Sequence, residues 1–226
     1  MIGTVDETQL FGTQLRLTTE ISTRVGSLTL TIRDRIQNLA ATPQEFQLVY
    51  HTNFGPPLLE DGSRFHAPLA RITPRDAVAA ADVSTWNQYG PPTVGFREQV
   101  FFAEPLAGED GTTEVLLHNR AADRGVAMRF AVDQLPYLTL WKNTQAIEDG
   151  YVTGIEPGTN YPNTRSFERG NGRVPQLEPG EIYESTVKLK VLPGADEVED
   201  SLERIGDLQG REGPQIDSQP VRDVSP

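Results

Sequence analysis

The 226-residue chain contains no cysteine. That excludes a disulfide framework, a thiolate metal centre and a cysteine nucleophile. Histidine is nearly as scarce, with His51, His66 and His118 the full set. No two of them stand at i,i+4 or another metal-ligand spacing, so neither a metal nor a cofactor is expected. The motifs G-x-S-x-G, G-x-G-x-x-G and the P-loop are all missing, which leaves serine hydrolysis and nucleotide chemistry without support. No uninterrupted apolar run reaches the length of a membrane span, and the first residues, MIGTVDETQLFG, carry no signal-peptide pattern. The expectation is a soluble, cytoplasmic protein.

Positive charge is also in short supply. Lys+Arg 20 against Asp+Glu 32 gives a net charge of −12, which argues against nucleic-acid phosphate or an anionic membrane surface as partner. From Gly194 to Pro226 there are nine acidic and three basic residues, so half of the excess is local to that stretch. Its polar, Pro/Gly-punctuated composition reads as a disordered tail with at best a marginal helix near Val198–Ile205. The hydrophobic content of 37% is low for a compact globule, in keeping with one domain over residues 1–193 and a tail over 194–226.

What is present is β pattern. LRLTTEIST and LTLTIRDRIQN alternate apolar and polar residues and predict two strands around Arg24–Ser27, with a third over Phe46–Tyr50. Further strands are expected at Arg64–Leu69, Glu98–Ala103, Thr113–Asn119, Val126–Val132, Tyr137–Trp141, Tyr151–Glu156 and Ile182–Leu192. A short helix is expected over Arg75–Ala81, capped by Thr73 with Pro74 at its first position. Residues 157–172 read as a long irregular loop. Many short strands and almost no helical period predict an all-β sandwich or barrel.

The stretch HTNFGPPLL, His51–Leu59, stands out. It mounts an imidazole, an amide and an aromatic ring at a strand end before a Gly-Pro break. On pattern alone His51 is either a proton-transfer group or a strand cap bonded to local backbone. Two other stretches carry similar residue types: Trp141-Lys142-Asn143, and Glu156 with Asn160 and Arg165. An imidazole and a carboxylate facing each other can act as general acid and base. Phe54, Trp86 and Trp141 would offer apolar walls to a sugar ring, with Asn53, Lys142, Asn160 and Arg165 to read its hydroxyls. Each has a plainer role: Glu156 as a solvated carboxylate, Trp141 as core, Lys142 as a snorkelling edge residue, Arg165 as ordinary surface. His66 and His118 read as structural.

Three stretches together carry a resemblance. The run from Leu15 to Gly55 resembles the central part of aldose 1-epimerases (galactose mutarotase-like proteins), where such strands lead into a His-x-x-Phe-type motif. GYVTGIEPGTNYPN resembles that family's late strand bearing a catalytic Glu, and LEPGEIYESTVKLKV its closing segment. HxNFGxPLL, LWKNT and GxEPxTNxPN-like stretches are similar to a bacterial branch of unassigned substrate. The resemblance covers roughly residues 5 to 192 and implies a galactose mutarotase-like antiparallel β-sandwich (supersandwich). It implies His51 as general acid and Glu156 as general base in opening the ring of a free aldose, with a monosaccharide as partner and no cofactor. The family's first strands, with a second His and a substrate-binding Arg, have no counterpart ahead of Met1, so an N-terminally truncated domain is expected. Three readings follow: an isomerase, a non-catalytic carbohydrate-binding sandwich, or an inactive truncated relative. An uncovered sheet surface would also favour a homo-oligomer.

Overall fold

The structure is a computed structural model that describes residues 1–226. In chain order the strands are β1 (Ile2–Thr8), β2 (Gln14–Ser22), β3 (Thr29–Asn38), β4 (Gln44–Glu45), β5 (Thr52–Phe54), β6 (Arg64–His66) and β7 (Leu69–Pro74). Helix α1 (Ala77–Ala81) follows, then β8 (Gln99–Pro105), β9 (Thr112–His118), β10 (Gly125–Ala131), β11 (Tyr137–Thr144) and β12 (Tyr151–Gly158). Helix α2 (Arg165–Gly170), β13 (Gln176–Leu177), β14 (Ile182–Leu192), α3 (Ala195–Gln209) and β15 (Gln215–Ile216) complete the chain.

Two sheets face each other. The first has the order β1-β2-β3-β14-β10-β9-β6, the second β15-β7-β8-β11-β12-β5, and a short β13-β4 pair lies beside them. Every pairing is antiparallel except β15 with β7. Alternate side chains of the two sheets meet in one core, with Leu117, Met128, Phe130 and Val187 from the first and Phe101, Leu138, Leu140 and Ile155 from the second. Fully burying each such side chain contributes roughly 1.5–3 kcal/mol, so this interface is the main source of stability. The fold is the antiparallel β-sandwich expected.

Several local expectations are corrected. Phe46–Tyr50 alternates like a strand, and Phe46 does enter a core with Leu15, Ile36 and Leu177, but no regular ladder forms there. The segment runs along the end of β12, where Tyr50 N–H reaches the Pro157 carbonyl at 2.9 Å. Pro157 has no N–H to return, so the ladder breaks. The three-strand meander is instead β1-β2-β3, with β1 an unanticipated strand whose seven residues are all exposed.

Helix α1 is capped by Asp76, whose carboxylate accepts from Val78 N (2.9 Å) and Ala79 N (3.0 Å). Thr73 and Pro74 belong to β7, paired with Phe102 and Phe101. The 157–172 loop contains α2. The largest correction concerns residues 194–226, which are ordered. Helix α3 packs Val198 and Ile205 onto Leu116, Ala127 and Leu192 on the outer face of the first sheet. Beneath the helix, Gly125 suits the close β9–β10 pairing: a Cβ there would sit 3.0 Å from both a Leu116 methyl and the Leu117 carbonyl. Acidic composition described the solvent side of α3 and concealed its apolar stripe.

Candidate functional site

The site lies on the outer face of the second sheet. Antiparallel register pairs Asn53 with Gly154 and Thr52 with Ile155, and β12 in turn pairs Gly154 with Trp141 and Glu156 with Thr139. Continuing the β5–β12 register one residue back sets His51 opposite Glu156. Side chains alternate along a strand, so His51, Asn53, Trp141 and Glu156 emerge on one face. The segment before β5 is held by Tyr50 N–H on the Pro157 carbonyl and by Thr159 N–H on the Leu48 carbonyl, each 2.9 Å. The His51 and Glu156 side chains are therefore positioned by backbone, not by each other.

His51 Nε2 lies 3.1 Å from Glu156 Oε1. Their exposures differ sharply, 56% for the imidazole and 4% for the carboxylate. The approach is close but outside hydrogen-bonding alignment, so Glu156 Oε1 has no hydrogen-bond partner in the protein. Burial pushes the Glu156 carboxyl above the usual glutamate range, and the attraction of His51 opposes this only in part. The other imidazole nitrogen, Nδ1, is 3.1 Å from Asn53 Oδ1. A carbonyl oxygen only accepts, so Nδ1–H donates to it and Nε2 is the nitrogen directed at the site. Trp141 meets His51 edge-to-face at 5.6 Å between ring centroids, and its indole N–H donates to Glu98 Oε2 at 2.9 Å.

Two residues of this face escaped the sequence reading. Gly154 is the first. A Cβ there would stand 2.3 Å from Glu156 Oε1, so the absent side chain is the space the carboxylate occupies. A glycine inside the strand YVTGIEPG was the available signal, because interior strand glycines often mark a close approach. The second is Glu98, which bonds both Trp141 and Arg75 Nη2, the latter at 3.0 Å. Nothing in the sequence distinguished it from other acidic residues.

The remaining expected site residues are not brought together with Glu156. Phe54 follows Asn53 on β5 and so turns to the opposite face, against the central core. Trp86 is buried in the same core, edge-to-face with Phe65. Lys142, next to Trp141, also points inward; its Nζ donates to the Thr85 carbonyl at 3.2 Å and faces the Tyr89 and Phe101 rings. Burial lowers its pKa to about 8, with Asp82 opposing. Asn160 is buried in its loop, accepting from Thr159 Oγ1 and donating to the Tyr161 carbonyl. Arg165 begins α2 and donates to Gln47 Oε1 at 3.1 Å, beside the apolar cleft of Leu15 and Phe46.

His66 and His118 form a separate pair with Nε2 atoms 3.1 Å apart. Burial, with His118 and Arg64 adding, lowers His66 to about 4. A cleft of about 510 Å³ lies elsewhere again, between α3, the β8–β9 loop and the β9–β10 hairpin. Its Arg129 and Arg204 are paired to Asp110 and Glu114, so the candidate chemistry stays with the shallower face around Glu156. No group of three or more His, Cys, Asp or Glu side chains is placed to hold a metal ion. No helix is long and apolar enough to cross a membrane.

The fold is that of a galactose mutarotase-like β-sandwich. The chain belongs to the family described as a domain of unknown function (DUF4432), whose profile matches residues 1–191. It is 38% identical to a provisionally assigned aldose 1-epimerase from Klebsiella pneumoniae subsp. pneumoniae, with a TM-score of 0.95 over 97% of this chain. The match spans 57% of the Klebsiella chain. The fold is shared at 15% identity and TM-score 0.60 with a galactose mutarotase-like protein from Clostridium acetobutylicum, over 84% of this chain and 61% of that one. A provisionally assigned aldose 1-epimerase from Escherichia coli K12 shares it at 17% identity and TM-score 0.56, over 84% and 64%. Comparison with curated proteins gives no match.

Proposed function

We propose that the chain is a carbohydrate-active isomerase that interconverts the anomers of a free aldose by acid–base ring opening. The observation that carries this reading is the His51–Glu156 pair, 3.1 Å apart, with the carboxylate buried and the imidazole open to solvent. The partial identity to a provisionally assigned aldose 1-epimerase supports it.

In this reading the sugar is seated against both side chains, with its anomeric hydroxyl at Glu156 and its ring oxygen at His51. Glu156, ionised, takes the proton of the anomeric hydroxyl, while protonated His51 gives its Nε2 proton to the ring oxygen. The bond from C1 to the ring oxygen breaks and the aldehyde forms. Rotation about C1–C2 presents the other carbonyl face. On reclosure neutral His51 recovers the proton from the attacking hydroxyl and Glu156 returns its own to the new anomeric oxygen. Asn53 fixes the imidazole ring by holding Nδ1–H, and Trp141 offers an apolar face to the sugar C–H groups.

The test is anomer exchange followed by NMR across a panel of free aldoses. Glu156→Gln and His51→Ala should each lower kcat by at least ~100-fold, the low end of a general acid–base contribution, with little change in sugar affinity. Full turnover in Glu156→Gln would sink the proposal. A second reading, a sandwich that binds carbohydrate without turning it over, is favoured by the 56% exposure of His51, since catalytic sites usually exclude water. It requires that neither substitution matter beyond binding. We further propose a second copy of the chain as partner, through the exposed edge strand β1.

A further inference from the structure

Trp141 pairs with Gly154 of β12 on one side and with Val100 of β8 on the other. Glu98, two residues before Val100, shares the face of Trp141 by alternation and is its diagonal neighbour, a separation that long side chains span. The indole N–H donates to Glu98 Oε2 at 2.9 Å, and Glu98 Oε1 accepts from Arg75 Nη2 at 3.0 Å. Arg75 is anchored in turn on Asp76 Oδ2, through Nε at 3.1 Å and Nη2 at 3.0 Å. Asp76 caps α1 through its other oxygen. The indole is thus tied through three side chains to the end of a helix. Its N–H and the Arg75 guanidinium hold the Glu98 carboxyl below the usual glutamate range, so the acceptor is an ionised carboxylate at neutral pH. Bonds to a charged acceptor are shorter and stronger than neutral ones.

Across β12, Trp141 meets His51 at 5.6 Å between ring centroids, with the ring planes 63° apart. More than half of the imidazole is exposed, so few contacts restrain it. Asn53 fixes the direction of Nδ1–H, yet one hydrogen bond leaves a ring free to rock about that bond. The indole supplies a second contact. An indole held by packing alone on a part-exposed face would turn about its own side-chain bonds; the bond to Glu98 removes that freedom.

We propose that Glu98 is a positioning residue: by fixing the Trp141 indole it fixes the plane of the His51 imidazole, and with it the direction of Nε2. Glu98 itself touches neither the sugar nor the proton in transit. The proposal rests on the isomerase reading of His51 and Glu156. Acid–base groups must be held to within about 0.5 Å of their working geometry, and a misplacement of about 1 Å can cost ~100-fold in rate. The Asn53 bond survives the loss of Glu98, so the expected loss is smaller than that.

The experiment compares wild type, Glu98→Ala, Glu98→Gln, Trp141→Phe and the double variant Glu98→Ala/Trp141→Phe in the full chain. Two tryptophans and three histidines make the ring resonances readily assigned by NMR. In Glu98→Ala the Trp141 indole N–H should lose protection from exchange, the His51 ring resonances should shift, and kcat for anomer exchange should fall about tenfold. Glu98→Gln, which keeps a carbonyl oxygen for the indole N–H, should restore most of both. Trp141→Phe removes the same bond from the other side, and Glu98→Ala should cost nothing further in that background. Circular dichroism identifies any variant that fails to fold; Trp141→Phe carries the spectroscopic test if Glu98→Ala does. An unmoved His51 ring in folded Glu98→Ala, or an equal loss with and without the indole, overturns the proposal. If wild type interconverts no aldose, the isomerase reading fails and the catalytic part of this proposal with it, while the spectra still decide whether Glu98 sets the imidazole.

Discussion

At Glu156 the proposed chemistry and a cost in stability fall on one residue. Its carboxyl is raised by burial and has an oxygen without a hydrogen-bond partner. A carboxyl held above its unfolded value contributes stability at low pH that is lost as pH rises through the raised value. The same shift places the acid limb of any base-catalysed profile above the ordinary glutamate value of 4.5. Glu156→Gln should therefore abolish anomer exchange yet raise the thermal midpoint at neutral pH by a few degrees, for a gain of about 1 kcal/mol. Calorimetry beside the exchange assay checks this; a fall in midpoint would show that the ionised carboxylate is well satisfied. Activity with its acid limb at or below the ordinary value would contradict the burial argument.

At the scale of elements, α3 decides whether the last 33 residues are tail or structure. A helix of its length is marginal alone in water, so its order comes from burying Val198 and Ile205 against Leu116, Ala127 and Leu192. Polar contacts reinforce the dock: Ser201 Oγ donates to Glu114 at 2.6 Å, and Gln209 exchanges hydrogen bonds with both backbone groups of Leu69. Ile205→Ala should cost about 2–4 kcal/mol, read as a shift in urea midpoint at unchanged m-value. A loss below about 0.5 kcal/mol, the size expected of an ordinary surface change, would mean that the helix contributes little.

The whole molecule presents an asymmetry between its two ends. Strand β1 pairs only with β2, all seven of its residues are exposed, and Ile2 and Val5 stand among them. Such an edge is a template for pairing with another chain. Sedimentation should show a mass that rises with concentration, and Val5→Lys should return it to the monomer. A concentration-independent monomer would end the proposal of a second copy as partner. At the other end β6 is the edge, and only three residues long, a length that blunts pairing.

The class of fold was legible in the sequence, because alternation is local: β2, β3, β9, β10 and β14 fall within a residue or two of where apolar and polar types alternate. It also pointed to His51 and Glu156, which the fold sets 3.1 Å apart. Parity was legible, but not which side of a strand faces the core. Trp141 and Lys142 are adjacent in sequence and were equal candidates, yet one lies on the site face and the other among Tyr89 and Phe101. Asn53 and Phe54 divide in the same way. Those assignments depend on which sheet lies opposite, a contact between segments far apart in the chain. The order of residues 194–226 depends on an outer apolar surface built by β9, β10 and β14. The gap at Gly154 has meaning only once the Glu156 side chain folds back into it. Local pattern encodes secondary structure; burial and charge environment arise from what packs against what, and they appear only in the folded chain.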